Sequence, residues 1–163
     1  MLKRIGTAYD FLLRAIVVTL MLCLASVGVL QVFFRYVVES SLFWTEELGR
    51  YLLIWLVMIA AAVEVERGTH IAVRTLVDLL PNVTQRWLEN VNLVLVTIFS
   101  VILTVYGFQL AMNTMGQLAT TLPVSIGQLY LALPVGGALI TVNALRVLWK
   151  ANGPSRPPVG DSI

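Results

Sequence analysis

The side chains of this chain that could do chemistry are few, and three of them lie together. Glu46, Glu47 and Arg50 precede an uncharged stretch that runs from Tyr51 to Val63. On a helix, residues three and four positions apart are neighbours, so Arg50 can reach either carboxylate. The spacing therefore fits two interpretations, a functional charge cluster and an ordinary salt bridge at the start of a helix.

Cofactor and metal chemistry has almost no candidate ligands. Cys23 is the one cysteine of the sequence, and His70 is the one histidine. Zinc sites and iron–sulfur clusters need several such ligands, and His70 could supply one axial ligand to a haem at most. The sequence shows no Ser-His-Asp or Cys-His set and no glycine-rich phosphate loop. We therefore predict that the protein is not an enzyme and binds no cofactor or metal.

Long uncharged stretches set the class of the protein. Residues 15–34 and 90–145 contain no charged side chain, which gives runs of 20 and 56 residues. A charged residue at the centre of a bilayer costs about 2.5–3.5 kcal/mol, so such runs indicate membrane-spanning helices. The composition agrees, with 58% hydrophobic and 12% charged residues and a mean hydropathy of +0.86. A net charge of +2 with dispersed basic residues gives no sign of nucleic-acid binding.

The predicted fold class is an all-α integral membrane protein with four transmembrane helices. A polar, turn-forming stretch from Asn113 to Pro123 divides the longest uncharged run into two spans. The second span has a short uncharged centre, and we assign it because Thr45 can cap a helix that Gly68 can end. The spans are predicted over about residues 12–35, 45–67, 84–112 and 124–149.

The spans are predicted to form a single domain over residues 1–150. Residues 151–163, which are rich in proline and glycine, are predicted to be a disordered cytoplasmic tail.

Short amphipathic helices are predicted in the membrane interface between spans 1 and 2 and between spans 2 and 3. Over residues 70–80, His70, Arg74 and Asp78 fall on one helical stripe, and apolar residues fall on another. Such a short segment cannot span a bilayer, so it is predicted to lie in the interface. The stretch 36–44 could do the same on the other side.

The basic residues assign an orientation. The N-terminal tail, the 64–90 connection and the C-terminal tail hold nine of the basic residues, whereas the 35–50 and 113–123 loops hold two. Because cytoplasmic loops carry the excess of Lys and Arg, both termini are predicted to lie in the cytoplasm and these two loops outside.

The spans offer no ionisable group at mid-depth, where transporters usually show their substrate path. The strongest polar groups within or near the spans are Gln31, Asn92, Gln109 and Gln128. Hydrogen bonds between helices explain these amides at least as well as contact with a substrate does.

Two features predict close helix contacts. The segment Pro134-Val-Gly-Gly137 removes a backbone donor and opens space for a neighbouring backbone. A stripe on the second span, proposed as a packing face, is formed by Tyr51, Trp55, Met58 and Ala62. Spacing alone does not decide whether either contact is made within this chain or with another.

Two other classes of membrane protein remain open. A small multidrug-type exporter acting as a dimer has about four spans but needs an acidic residue in the first, and residues 15–34 have none. A membrane anchor of a respiratory enzyme would need histidines on two spans to hold a haem.

Motifs along nearly the whole chain resemble those of one family. Phe34-Arg-Tyr36 closes span one, and Leu42-Phe-Trp-Thr-Glu-Glu47 opens span two ahead of Trp55. Arg67-Gly-x-His-Ile-x-Val73 follows, and Tyr130-Leu-Ala-Leu-Pro-Val-Gly-Gly137 lies in span four. In these features the chain resembles the small membrane subunit of tripartite ATP-independent periplasmic (TRAP) transporters, the DctQ-like family.

The resemblance implies a bacterial inner-membrane uptake system in three parts. A periplasmic binding protein would capture an organic acid, a large elevator-type permease subunit would move it with sodium, and this chain would be the scaffold of the permease. The expected partners are the large subunit, transiently the binding protein, and membrane lipids. The residues expected at interfaces with a partner or with lipid are Arg35, Trp44, Glu46, Glu47, Arg50, Tyr51, Trp55, Met58, Arg67, His70, Pro134, Gly136 and Gly137.

Overall fold

In its described residues the chain consists mainly of long helices. The computed structural model describes residues 2–40, 42–67 and 82–151. Within these ranges the helices are α1 Leu2–Tyr36, α2 Phe43–Arg67, α3 Asn82–Thr114, α4 Ile126–Tyr130 and α5 Ala132–Ala151. The β-structure in the same ranges is limited to an isolated bridge, so the predicted all-α fold is confirmed.

Four segments are long and apolar enough to cross a bilayer, which confirms the predicted number of spans. They are Ala8–Tyr36, Phe43–Val65, Asn90–Thr114 and Ile126–Trp149. The fourth combines α4 and α5, and the helix is interrupted between them at Leu131. Pro134 has no N–H to donate to the carbonyl oxygen of Tyr130, which accounts for a break at this place.

The start of α2 differs from the predicted cap. The helix begins at Phe43, two residues before the residue predicted to cap it. The hydroxyl of Thr45 donates a hydrogen bond to the carbonyl oxygen of Leu42 at 2.6 Å, and its backbone N–H donates to the same oxygen at 3.2 Å. Thr45 therefore closes the first turn as a donor, whereas a cap residue would accept a hydrogen bond from the helix backbone.

The connection between α1 and α2 is too short to hold the interfacial helix expected over residues 36–44. Its described residues form no separate helix, and the ends of the stretch belong to α1 and α2. The turn is made by Glu39, whose φ is 54°, and the backbone N–H of Ser40 donates to the carbonyl oxygen of Phe34 at 3.1 Å. The other expected interfacial helix, over 70–80, and the tail from residue 152 lie outside the described residues.

The long helices stand side by side in an open row. α1 packs on α2, α2 packs on α5, and α5 packs on α3, while no other pair of these four helices makes extensive contact in the described ranges. Burial follows this order. We compare the buried share of residues in the most apolar part of each span. This share is 39% in the span that contains α5 and 0% in the span of α1. The row α1–α2–α5–α3 is therefore a single layer with broad apolar sides, unlike a closed four-helix bundle.

Glycines on α5 bring its two neighbours close. A Cβ atom on Gly136 would lie 2.6 Å from the Cβ of Met58 in α2. A Cβ on Gly137 would lie 2.5 Å from the hydroxyl oxygen of Thr104 and 2.9 Å from the carbonyl oxygen of Ser100, both in α3. Adjacent glycines thus face different neighbours of α5, because successive helix positions point about 100° apart. In lipid, such close backbone approach allows the van der Waals packing that helps to drive helix association.

Candidate functional site

Near the beginning of α2, Glu47 turns its carboxylate toward the loop formed by residues 115–125, called here the α3–α4 loop. Its Oε1 accepts a hydrogen bond from the backbone N–H of Thr120 at 3.1 Å, and its Oε2 accepts one from the backbone N–H of Thr121 at 2.7 Å. The hydroxyl of Thr121 also donates to Oε2. Glu47 is 8% exposed, and these three donors compensate the carboxylate for the water it loses.

The α3–α4 loop is closed by its own backbone hydrogen bonds. The N–H of Ala119 donates to the carbonyl oxygen of Val124 at 2.9 Å. Thr120 and Thr121 lie between these two residues, at the tip of the turn. Backbone N–H groups at the tip of a turn have no backbone acceptor in a helix or sheet. The Glu47 carboxylate supplies the acceptors that they need. One buried side chain thereby fixes how the tip lies against α2.

One turn further along α2, Tyr51 makes a second contact with the same loop. Its hydroxyl donates to the carbonyl oxygen of Ser125 at 3.4 Å. Ser125 is the N-cap of α4, where its hydroxyl oxygen accepts a hydrogen bond from the backbone N–H of Gln128 at 3.3 Å. Glu47 and Tyr51 are four residues apart and lie on one side of α2. This side therefore holds both the tip of the loop and its return into α4.

The salt bridge considered for the start of α2 is not formed. Glu46 and Arg50 are exposed, and no ion pair joins them in the part of the chain that the structure describes. The sequence placed three charges in one cluster, but the structure separates one buried carboxylate, Glu47, from two charges on the surface. Sequence spacing could not separate them, because the partner of Glu47 lies in a distant loop.

Other residues expected at an interface lie at exposed positions or outside the described part. Trp44 is 38% exposed at the start of α2. Arg35, also exposed, ends α1 with its guanidinium carbon 5.8 Å from the centre of the Tyr36 ring. The side chain of Arg67 and the whole of His70 are outside the described residues, and their expected roles stay predictions.

The stripe proposed as a packing face on the second span is used inside this chain. Met58 meets Gly136, and Ala62 is fully buried. Trp55 packs against a core cluster between α1 and α2 that is built from Leu13, Ile59 and Val63. The glycines after Pro134 likewise contact α2 and α3 of the same chain. Of the two possibilities that the spacing left open, the structure shows packing within the chain.

A second polar contact, not predicted from the sequence, ties α5 to α2 and α1. Asn143 is 0% exposed, and its Nδ2 donates to the carbonyl oxygen of Ala62 at 2.7 Å. One turn later, Nη1 of Arg146 lies 3.3 Å from Oδ1 of Asp10, and the guanidinium carbon lies 4.9 Å from the centre of the Tyr9 ring. An amide inside a long uncharged run was the available signal, because such a group is stable in lipid only with a partner.

The four amides singled out in the sequence do not make the expected contacts between helices. Asn92, Gln109 and Gln128 are exposed, Gln31 is partly exposed, and no hydrogen bond of their side chains joins two helices in the described residues. The polar bond between α3 and α5 joins the hydroxyl oxygens of Ser100 and Thr141 at 2.8 Å. The four amides are thus not among the side chains that link helices in the described residues.

Metal binding finds no site in the described ranges. Within them, no three His, Cys, Asp or Glu side chains come together as ligands would. The described residues instead form a set of helix contacts, in which polar side chains and the adjacent glycines Gly136 and Gly137 join four membrane helices in one row.

Comparison with known proteins places this arrangement among transport components. Residues 24–152 match the family described as tripartite ATP-independent periplasmic transporters, DctQ component. The chain is also 27% identical over 151 residues to the sialic acid TRAP transporter small permease protein SiaQ of Vibrio cholerae. That alignment covers 91% of this chain and 86% of the Vibrio protein. The matched range contains α2 to α5 and the second part of α1.

Proposed function

The chain belongs to the DctQ component family of TRAP transporters, and we propose that it is the fixed wall against which a large permease subunit moves its substrate. As a small permease component, it is a multi-pass protein of the inner membrane. Family membership implies association with a large permease subunit and a periplasmic binding protein. The exporter and the respiratory anchor considered from the sequence are not carried further, because the match covers most of the chain.

The observation that carries this proposal is the open row of helices. A conduit needs a polar path between its helices, and the described contacts leave little space for one. α5 meets α2 and α3 through glycines so closely that a Cβ atom added at Gly136 or Gly137 would lie within 3 Å of the neighbouring helix. The buried polar side chains between these helices, Asn143 and Ser100, bond to protein partners. Such a layer is suited to bracing a moving neighbour, and its broad apolar sides offer the area for contact.

The transport chemistry would belong to the other subunits. We propose uptake of an organic acid that the binding protein delivers and that the large subunit carries by an elevator-type motion coupled to sodium. The relative from Vibrio cholerae is named for sialic acid, an organic acid, which supports this substrate class. The described spans of this chain place no ionisable group at mid-depth, so substrate and sodium would be bound elsewhere.

The orientation deduced from the basic residues gives the Glu47 contact a location. With both termini in the cytoplasm, the start of α2 and the α3–α4 loop lie on the periplasmic side. The contact between Glu47 and Thr121 would then hold a rigid periplasmic surface, which the binding protein could touch as it docks on the large subunit.

The experiment that tests the proposal is purification of the complex from membranes. An affinity tag on this chain, coexpressed with the large permease subunit from the same organism, should recover that subunit in a constant ratio. Cells that lack this chain should lose uptake of the organic acid and regain it from a plasmid copy. Recovery of the tagged chain alone, together with normal uptake in the deleted strain, would overturn the proposal.

A further inference from the structure

α3 lies at one end of the helix row and is exposed on most of its circumference. The side that faces α5 is formed by small residues, among them Ser100, Thr104 and Gly107. Two further lines of side chains run along the rest of the helix with alternating spacings of three and four residues. All members of both lines are exposed.

The two lines differ in chemistry. The first, called the mixed stripe, consists of Asn92, Leu95, Phe99, Ile102, Tyr106, Gln109 and Asn113. The second, called the apolar stripe, consists of Val91, Val94, Ile98, Val101, Val105, Phe108 and Met112. Both stripes have the same number of residues and the same spacing, and all their members are exposed. The apolar stripe therefore serves as a control for a surface that faces lipid.

The polar members of the mixed stripe have no partner in the described chain. The hydroxyls of Thr97 and Thr104 bond to carbonyl oxygens of their own helix at 2.7 Å. By contrast, the side chains of Asn92, Tyr106 and Gln109 make no hydrogen bond within the ranges that the structure describes. Lipid tails carry no donors or acceptors, so polar groups left among them are costly.

Depth adds to this cost. Tyr106 lies eight residues before Thr114, the end of its span, which is about 12 Å along the helix. Tyr106 is 66% exposed, and Phe99, two turns earlier in the stripe, is 64% exposed. A residue at the end of a span can reach headgroups and water, but a hydroxyl this far inside needs a partner at its own level.

The spacing of the mixed stripe fits a helix as that partner. Apolar and polar members recur at intervals of three and four over 22 residues, from Asn92 to Asn113. A seam of this period packs along a neighbouring helix at a crossing angle of about 20°. Amides and hydroxyls within such a seam hydrogen-bond across to the neighbour, which is how membrane helices gain specificity.

We propose that the mixed stripe of α3 binds a transmembrane helix of the large permease subunit, one that presents small residues and hydrogen-bonding side chains toward Tyr106 and Gln109. This inference rests on the proposed function for the existence of that subunit. A second copy of this chain fits less well, because a two-fold pair would place Phe99 on Phe99 and Tyr106 on Tyr106. The mixed stripe contains no Gly, Ala, Ser or Thr, so small residues at the contact must come from a different chain.

Photocrosslinking in membranes that contain the whole transporter tests the proposal. A benzophenone amino acid would replace Phe99 in the mixed stripe and, as the matched control, Phe108 in the apolar stripe. We expect Phe99 to give a covalent product with the large subunit and Phe108 to give lipid adducts. A Phe99 product with a second copy of this chain, lipid adducts at both positions, or equal products with the large subunit at both would each overturn the assignment.

A second measurement separates this inference from the proposed function. The double change Tyr106→Phe with Gln109→Leu removes hydrogen-bonding groups from the mixed stripe, and Phe108→Leu is its control. The double variant should recover at least several-fold less large subunit through its tag, with an unchanged melting temperature of the chain alone. Undiminished recovery of the large subunit by the double variant would overturn the proposed role of the mixed stripe, while the proposed function would stand. Failure of the unchanged chain to recover the large subunit would overturn both.

Discussion

Glu47 in α2 accepts a hydrogen bond of 2.7 Å from the backbone N–H of Thr121, 74 residues further along the chain. Together with Tyr51, it makes one side of α2 the support of the α3–α4 loop. The loop leads through α4 into α5, which lies between α2 and α3 in the row. The position of the loop and the position of α5 are therefore set together. A single carboxylate thereby links the order of a surface loop to the packing of the spans.

Replacing Glu47 with Gln should loosen the α3–α4 loop. The amide keeps one acceptor oxygen and turns its NH₂ group toward backbone donors, so one of the N–H groups of Thr120 and Thr121 loses its partner. Hydrogen exchange of these two amides should become roughly tenfold faster. The control is Glu46→Gln, at an exposed side chain beside it. Equal exchange in both variants would show that the carboxylate does not hold the loop.

A methyl group on Gly137 should force α5 and α3 apart. The added Cβ would lie 2.5 Å from the hydroxyl oxygen of Thr104, and a backbone carbonyl lies nearly as close. We expect Gly137→Ala to destabilise the chain by about 1–3 kcal/mol, measured by thermal unfolding in detergent. At Gly28 a Cβ would meet nothing within 4 Å, so Gly28→Ala should be neutral or stabilising by up to about 1 kcal/mol. Equal stability of the two variants would contradict the close packing.

Asn143→Leu should weaken the contact between α5 and α2. The change keeps a similar volume but removes the donor to the carbonyl oxygen of Ala62, at a site with no exposure. Hydrogen bonds between membrane helices contribute about 0.6–2 kcal/mol, so unfolding of the isolated chain should become easier by this amount. Asn92→Leu, at an exposed position, should leave the isolated chain as stable as before. A loss in Asn92→Leu equal to that in Asn143→Leu would contradict this account.

The orientation can be read from labelling of single cysteines. In a background with Cys23→Ser, Leu118→Cys places a thiol on the α3–α4 loop, where Leu118 is 77% exposed. A membrane-impermeant maleimide should label it in cells with a permeable outer membrane. Ser155→Cys, in the C-terminal tail, should react after the inner membrane is opened. The reverse pattern would place the termini outside and the Glu47 contact in the cytoplasm.

The sequence predicted the four spans because their signals are local. Charge-free runs of 20 and 56 residues, and a polar break from Asn113 to Pro123, follow directly from the cost of charge in hydrocarbon. The interruption before Pro134 follows from its missing N–H. Gly136 and Gly137 also predicted a close helix contact, because the lack of a side chain is evident from the sequence.

Partners distant in the chain could not be predicted. Glu47 is close to Arg50 in the sequence, and no local pattern indicated that Thr121 would donate hydrogen bonds to its carboxylate. The stripe that contains Met58 looked the same whether it faced α5 or another protein, because both contacts need the same helical period. The order of the helices in the row decides which helices lie inside it and which lie at its ends. This order depends on contacts between residues that are distant in the chain.

Uptake by reconstituted proteoliposomes tests the central claim most directly. Vesicles would contain this chain alone, the large permease subunit alone, or both, with the binding protein and radiolabelled organic acid outside and a sodium gradient directed inward. The wall model predicts uptake by the pair, little or none by the large subunit alone, and none by this chain alone. Sodium-driven uptake by this chain alone, or full uptake by the large subunit without it, would contradict the model.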